Sequence, residues 1–396
     1  MLLIMMLKNY FKENKLGIYL VPLVLVLQIL STLQTNKPRF FCGPVVTKFD
    51  HFHISVLCDS SHYLLDAQNL KRLFFYSIDP SNFGSPLQDR PLAPLLANFI
   101  SFLIRQIPGL DSYEKYTGED NLTISYSLSV YLAYLVLNFL ILYSTIIIAL
   151  TTIKSKSIGI NCIIVVYLSF NQLTQNYFWI PNTVLMNNLF AVVIVRFLRY
   201  YNSENEKRSL KYTCLFTFLG LYYPLFFFGA ILILLLNIIS KNYALALILT
   251  IFPFSIYTFY IFIINSYGEY VNNPSKSGYF SLFLDVNNEA AFFPMVLIEI
   301  EGLLSSFSII QIFFFIWVLF SWKLNYKYTL IFFIYLGYIF SLGVFDYRYN
   351  VGLSTYLFLS YLASANLNAN KMLDILRVTG ALIYMIFAFL FTGFTY

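Results

Sequence analysis

Long apolar runs recur from one end of the chain to the other, at about 18 to 33, 92 to 107, 126 to 150, 159 to 179, 184 to 198, 212 to 238, 244 to 265, 292 to 320, 329 to 345, 351 to 363 and 374 to 395. The long runs do not alternate polar with apolar residues in the strand period, so each predicts a helix. A helix needs roughly 20 apolar residues to cross the hydrocarbon core, so the runs amount to roughly ten to twelve crossings, the short ones tilted, broken or re-entrant. A chain solvated by lipid finds no water for its backbone, and helices are the arrangement consistent with these runs. The expected fold class is all-α, a single polytopic integral membrane domain over residues 1–396.

Composition sharpens this picture. The chain is 59% hydrophobic and 11% charged, with a mean hydropathy of +0.70, whereas a soluble domain keeps roughly a quarter of its residues charged. The net charge of +6 is spread over loops with one dense run, "RFLRYYNSENEKRSLKY", holding Arg196, Arg199, Lys207, Arg208 and Lys211. A cytosolic loop obeying the positive-inside rule is the first reading of that run, and binding of anionic lipid headgroups the second. Nothing in the charge pattern points to nucleic acid. Lys8, Lys12 and Lys15 precede the apolar run Ile18 to Leu33, and "STLQTNKPRF" lacks a small-residue cleavage site. A retained first helix with cytosolic lysines is expected.

The region 34–90 then becomes a luminal loop. Within it, "SSHYLLDAQNLKRLFFYSI" can bring Tyr63, Leu64, Leu70, Leu73 and Phe74 to one face, which predicts an amphipathic helix lying flat on the luminal interface. Pro80, Gly84, Pro86 and Pro91 force a turn after it. A second polar stretch, "RQIPGLDSYEKYTGEDNLT", holds the glycosylation triplet Asn121, Leu122, Thr123. Counting 92 to 107 as a crossing puts that triplet in the cytosol, where it is silent. Cys42 and Cys58 share the first loop and would be free to pair in an oxidising lumen.

Catalytic patterns are weak. His51, His53 and His62 beside Asp50 and Asp59 follow no recognised metal spacing, so no metal or other cofactor is expected. Cys58 near His53 and His62 makes only a sequence neighbourhood of nucleophile and base. Polytopic lipid-linked glycosyltransferases place a carboxylate pair after the first helix; here Asp50 has no acidic partner within two residues. No catalytic residue is assigned.

What remains is polarity inside apolar surroundings. Asn176, Asn182, Asn187 and Asn188 lie in one segment, Glu299 and Glu301 in a second, Asp346, Arg348 and Asn350 in a third, and Ser364, Asn366 and Asn368 in a fourth. An unpaired amide in hydrocarbon costs on the order of 1 to 3 kcal/mol, so these segments are expected to face a shared interior. Interhelical glue is one use for such amides; a polar ligand is the other, favoured for Asn366 and Asn368 because polar residues at i and i+2 fit an unwound segment lining a cavity.

Taken in order, four segments resemble the phosphatidylinositol-glycan class U subunits of the glycosylphosphatidylinositol (GPI) transamidase. They are "LKRLFFYSIDPSNFGSPLQDRPLAPLLANFISFLI", "PNTVLMNNLFAVVI" through Asn187 and Asn188, "LGLYYPLFFFGAILILL" at Tyr223, Pro224 and Leu225, and "ASANLNAN" through Ser364, Ala365, Asn366 and Asn368. Asp79-Pro80-Ser81 departs from the family's Ser-Pro-Tyr, and Glu299 lacks the usual preceding Trp-Tyr. The resemblance implies a glycosyltransferase-C-like helical bundle in the endoplasmic-reticulum membrane. It further implies a non-catalytic subunit that recognises the GPI lipid and presents it for attachment to protein C-termini, with a cysteine-protease-like catalytic subunit among its partners. The GPI-binding residues it implies are Asn366, Asn368 and Ser364, with Asn187 and Asn188 on a facing helix and Glu299 pairing with amines of the glycan. A lipid-linked GPI mannosyltransferase is the alternative.

Overall fold

The computed structural model describes residues 22–26, 28, 45–49, 52–55, 58–77, 83–85, 87–88, 90–117, 123–201, 206–239, 241–269, 322–342, 347–364 and 371–391. Over these the chain is all-α apart from two short hairpins. The helices are α1 (Cys58–Gln68), α2 (Leu92–Ile104), α3 (Leu128–Ile153), α4 (Ile158–Phe170), α5 (Gln172–Tyr177), α6 (Met186–Tyr200), α7 (Glu206–Gly220), α8 (Leu225–Ile239), α9 (Tyr243–Tyr267), α10 (Trp322–Leu342), α11 (Tyr347–Ser364) and α12 (Lys371–Phe391). Strands β1 (Val45–Phe49) and β2 (Phe52–Ser55) form one antiparallel pair, and β3 (Tyr113–Thr117) and β4 (Thr123–Ser127) the other.

Local chemistry sets the helix boundaries. Ser157 Oγ accepts from the Ile160 amide (3.1 Å) and opens α4, while Asn171 Oδ1 accepts from the Thr174 amide (2.9 Å) and opens α5; both satisfy amide donors that a helix start leaves unpaired. Asn242 does the same for α9 through the Leu245 amide. Within α3, Thr145 and Thr152 turn their hydroxyls back to the carbonyls of Ile141 and Ile148, which hides polar groups inside a largely buried helix.

The main core is aromatic. Phe190 of α6 meets Phe226 and Tyr335 edge to face at 5.3 and 5.4 Å, and Phe228 stacks on Tyr338 at 4.2 Å. Gly229 lets α7 and α8 close up, since a Cβ there would stand 2.7 Å from the Phe216 ring. The strongest pairings are α12 with α4, α11 with α6 and α7 with α8.

The bundle has two chemically distinct ends. At one, Arg196 Nη1 of α6 donates to Thr151 Oγ1 near the end of α3 (2.7 Å), and Lys327 of α10 lies 5.1 Å from the Tyr201 ring. The start of α12 joins them, because Asp374 accepts from Arg377 (3.1 Å) and from Ser157 at the start of α4. At the other end gather α1, α2 and β3–β4. Arg105 Nε at the end of α2 donates to Ser129 at the start of α3 (3.1 Å), and β4 packs on α1.

Two expectations change here. The run 92 to 107 yields a helix of 13 residues, about 20 Å at 1.5 Å per residue, alongside the first half of α3. The stretch after it is a hairpin on the α1 end, with Tyr113 opposite Ser127 and Thr117 opposite Thr123, so it does not lie at the opposite end from α1. The amphipathic piece is α1 plus a 3-10 turn, Leu70–Phe74. It does not lie free on a surface: Tyr63 and Leu64 are buried against Ala97, Val130 and Tyr134, and Phe74 meets Tyr267 of α9 edge on at 6.0 Å.

Among the described residues, α3 and α9 are the two helices long and apolar enough to cross a membrane. They differ in surroundings. Helix α3 is mostly buried, whereas α9 exposes Leu247, Phe254, Phe259 and Phe262, the second of them at 70%.

Candidate functional site

Four chain segments meet at Arg90, two residues before the start of α2. Its Nη1 donates to Tyr63 OH of α1 (2.7 Å) and to Thr183 Oγ1 before α6 (3.4 Å). Tyr63 OH and Thr183 Oγ1 are themselves 2.9 Å apart. The guanidinium lies 5.3 Å from the ring centroid of Tyr223, in the turn between α7 and α8, and the Leu92 amide donates to Leu221 O of the same turn (3.1 Å).

The network continues inward through Tyr223. Asn187 Nδ2 donates to Tyr223 OH (3.1 Å) and to Val184 O (3.0 Å), and the return contact to Asn187 Oδ1 is 3.4 Å. Gly352 of α11 sits against Asn187, where an added Cβ would be 3.1 Å from both Asn187 Cβ and Tyr335 OH. Asn188 accepts from Thr355 Oγ1 of α11 (2.8 Å) and donates to Asn171 Oδ1 (3.3 Å). Asn187 and Asn188 are at most 2% exposed, and their amides bond across elements, the glue arrangement.

Irregular backbone around this node is held by side chains. Asn138 Nδ2 donates to Phe178 O and Ile180 O (2.9 Å each), Tyr131 OH to Trp179 O (2.6 Å), and Asn182 Oδ1 accepts from the Val184 amide (2.7 Å). A loop with its carbonyls satisfied this way persists inside an apolar bundle.

A second polar cluster braces the same end. Arg72 Nε donates to Asp66 Oδ1 (3.2 Å) and its Nη2 to Gly84 O (2.5 Å), while Ser85 Oγ donates to Asp66 Oδ2. Burial of Asp66 pushes its carboxyl up to about 7, against the Ser85 hydrogen bond and the Arg72 charge. With no exposed surface and both oxygens bonded, Asp66 fixes the turn after the 3-10 helix.

The sequence candidates separate. Asn187 and Asn188 join the node. Ser364 lies 12 residues beyond Gly352 along α11, about 18 Å at 1.5 Å per residue, and donates to Ser360 O (2.7 Å) of its own helix. The direction is toward the basic end, since Tyr356 OH donates to Tyr328 O (2.7 Å), next to Lys327. Asn366, Asn368, Glu299, Glu301, Asp346, Cys42 and His51, and the side chains of Cys58, His53, Asn176, Arg348 and Asn350, lie outside the described residues. Among the described residues no His, Cys, Asp and Glu group has the makings of a metal site.

Arg90, Thr183 and Asp66 carry no motif in the sequence, and Tyr63 stands out there only as part of an amphipathic face. Arg90 had one signal, a lone cation set directly before an apolar helix.

The fold and node define an all-α bundle with an internal cation, hydroxyl and amide network. Scans against protein-family models, curated proteins and solved structures each found no match to this chain.

Proposed function

We propose that this chain is a polytopic membrane protein that recognises a GPI lipid as a non-catalytic subunit of a GPI transamidase in the endoplasmic reticulum. Its solvation supports the membrane part. Helix α9 turns Phe, Ile and Leu outward along 25 residues, while Asn138, Asn187 and Asn237 are fully buried. Apolar surface outside and amides inside suit lipid and oppose water. Ten to twelve crossings remain part of the proposal.

One observation carries the functional part. The Arg90–Tyr223–Asn187 network joins three of the four segments on which the family resemblance rests, although they are far apart in sequence. Arg90 brings a guanidinium suited to a phosphodiester, and the neighbouring Tyr63 and Thr183 bring hydroxyls suited to sugar hydroxyls. With the Lys- and Arg-rich end in the cytosol, this node faces the lumen, where a GPI glycan resides. Ser364 lies toward the opposite, basic end of α11. We therefore assign the glycan head to the Arg90 node, with Asn187 and Asn188 shaping its wall.

Depletion of the chain in cells, followed by analysis of labelled GPI intermediates, tests the assignment. Complete, ethanolamine-bearing GPI should accumulate with unprocessed precursor proteins. A truncated glycan lacking a mannose would replace this function with the mannosyltransferase alternative.

A further inference from the structure

At the end opposite Arg90, three cations from three segments surround one ring. Lys154 Nζ, Arg196 Cζ and Arg208 Cζ lie 5.9, 5.6 and 5.8 Å from the Tyr200 centroid. Arg208 also donates to the Tyr200 carbonyl. In the residue before Tyr200, Arg199 Nη1 is buried with no hydrogen-bond partner among the described residues. Among the described residues no ion pair joins Lys154, Arg196, Arg199 or Lys327 to a carboxylate. Cations this close repel one another, and contact with one ring offsets only part of the repulsion.

A phosphate supplies the counter-charge that Lys154, Arg196 and Arg199 lack among the described residues. Arginine forks hold its oxygens in pairs, and an exposed lysine adds a mobile point charge. Apolar surface flanks the cluster: Leu247 and Ile248 are exposed near the start of α9, and Met372, Ile375 and Leu376 near the start of α12. That combination of cations at the rim of an apolar wall matches the headgroup level of a bilayer. We propose that Lys154, Arg196 and Arg208, gathered around Tyr200, together with the neighbouring Arg199, bind the phosphate of an anionic lipid headgroup. The site is separate from the Arg90 node and holds whether or not that node takes a GPI.

The test uses the full chain in neutral detergent, titrated with dioctanoyl phosphatidic acid, dioctanoyl phosphatidylcholine or inorganic phosphate. Saturable binding of phosphatidic acid alone is expected. Lys154→Gln/Arg199→Gln should weaken it by about tenfold or more, and Lys207→Gln/Lys211→Gln, both exposed on α7, by less than about threefold. Lys154→Gln alone, at an exposed position, should still weaken binding by about threefold and serves if Arg199→Gln does not fold. Equal weakening by both pairs would mean diffuse surface charge and overturn the site. Inorganic phosphate competing as well as the lipid would overturn the lipid assignment, and no saturable binding would overturn the whole proposal.

Discussion

Removing the Tyr223 hydroxyl should expose how much the node contributes to holding the bundle together. Tyr223→Phe takes away the 3.1 Å partner of Asn187 Nδ2 and the 3.4 Å partner of Asn187 Oδ1. The Val184 carbonyl still receives Nδ2 at 3.0 Å, so the principal loss is a buried acceptor left bare, about 1 to 3 kcal/mol. Interhelical hydrogen bonds in membranes average nearer 0.6 kcal/mol by double-mutant cycle, because the unfolded state also finds partners. We therefore expect Tyr223→Phe to lose about 1 kcal/mol, Asn187→Leu more, and the double variant less than their sum by about 0.6 kcal/mol. Reversible unfolding of the purified chain in mixed SDS micelles measures all four corners. A coupling indistinguishable from zero, within about 0.3 kcal/mol, would refute the bond and leave Asn187 free for a ligand.

Further outcomes follow from other contacts. Arg90→Met should lower stability by about 2 kcal/mol through loss of its charged hydrogen bonds and abolish GPI-anchor display at the cell surface; normal display of a GPI reporter would remove Arg90 from the head-binding role. Gly229→Val should cost about 1 to 3 kcal/mol by driving a side chain into the Phe216 ring, read in the same micelle assay. For Asp66 the folded carboxyl near 7 exceeds the unfolded value of about 3.9, so its contribution is full below about pH 4 and is lost as pH rises through about 7. The chain should be more stable at pH 5 than at pH 7.5, and Asp66→Asn should flatten that difference; an unchanged slope would assign it to other groups. β4, which begins at the triplet's Thr123, packs on α1 at the end away from the basic cluster; if that end is luminal as proposed, a glycan sensitive to endoglycosidase and absent in Asn121→Gln is expected.

Much of the bundle was legible as uninterrupted apolar runs, since α3, α8, α9 and α12 need nothing beyond hydrophobicity to be recognised. Run length misled at α2, where the run 92 to 107 gives a helix of 13 residues and the hairpin after it sits at the same end as α1. The alternation in "YEKYT" and "TISYS" is a strand signal, but it sits among Gly, Asp and Asn that read as loop. The candidate amides were visible individually; that Asn187 bonds Tyr223, and that Arg90 lies against the same ring, depends on tertiary packing that periodicity does not encode. Asp66 stands apart from any second acid in the sequence, so a paired-carboxylate pattern does not point to it.

Helices α6, α7 and α8 have 15 residues each, about 22 Å against a hydrocarbon core of about 30 Å. All three span the distance between the basic end and the Arg90 node, where loops 178–185 and 221–224 join them. On the proposed membrane topology these helices would come up short on the side of the Arg90 node. A local thinning of the lipid at that end would then let a large polar head approach Arg90 without entering hydrocarbon. The same shortfall would draw the diacyl chains down beside α9, whose outward Phe and Ile side chains already face that way.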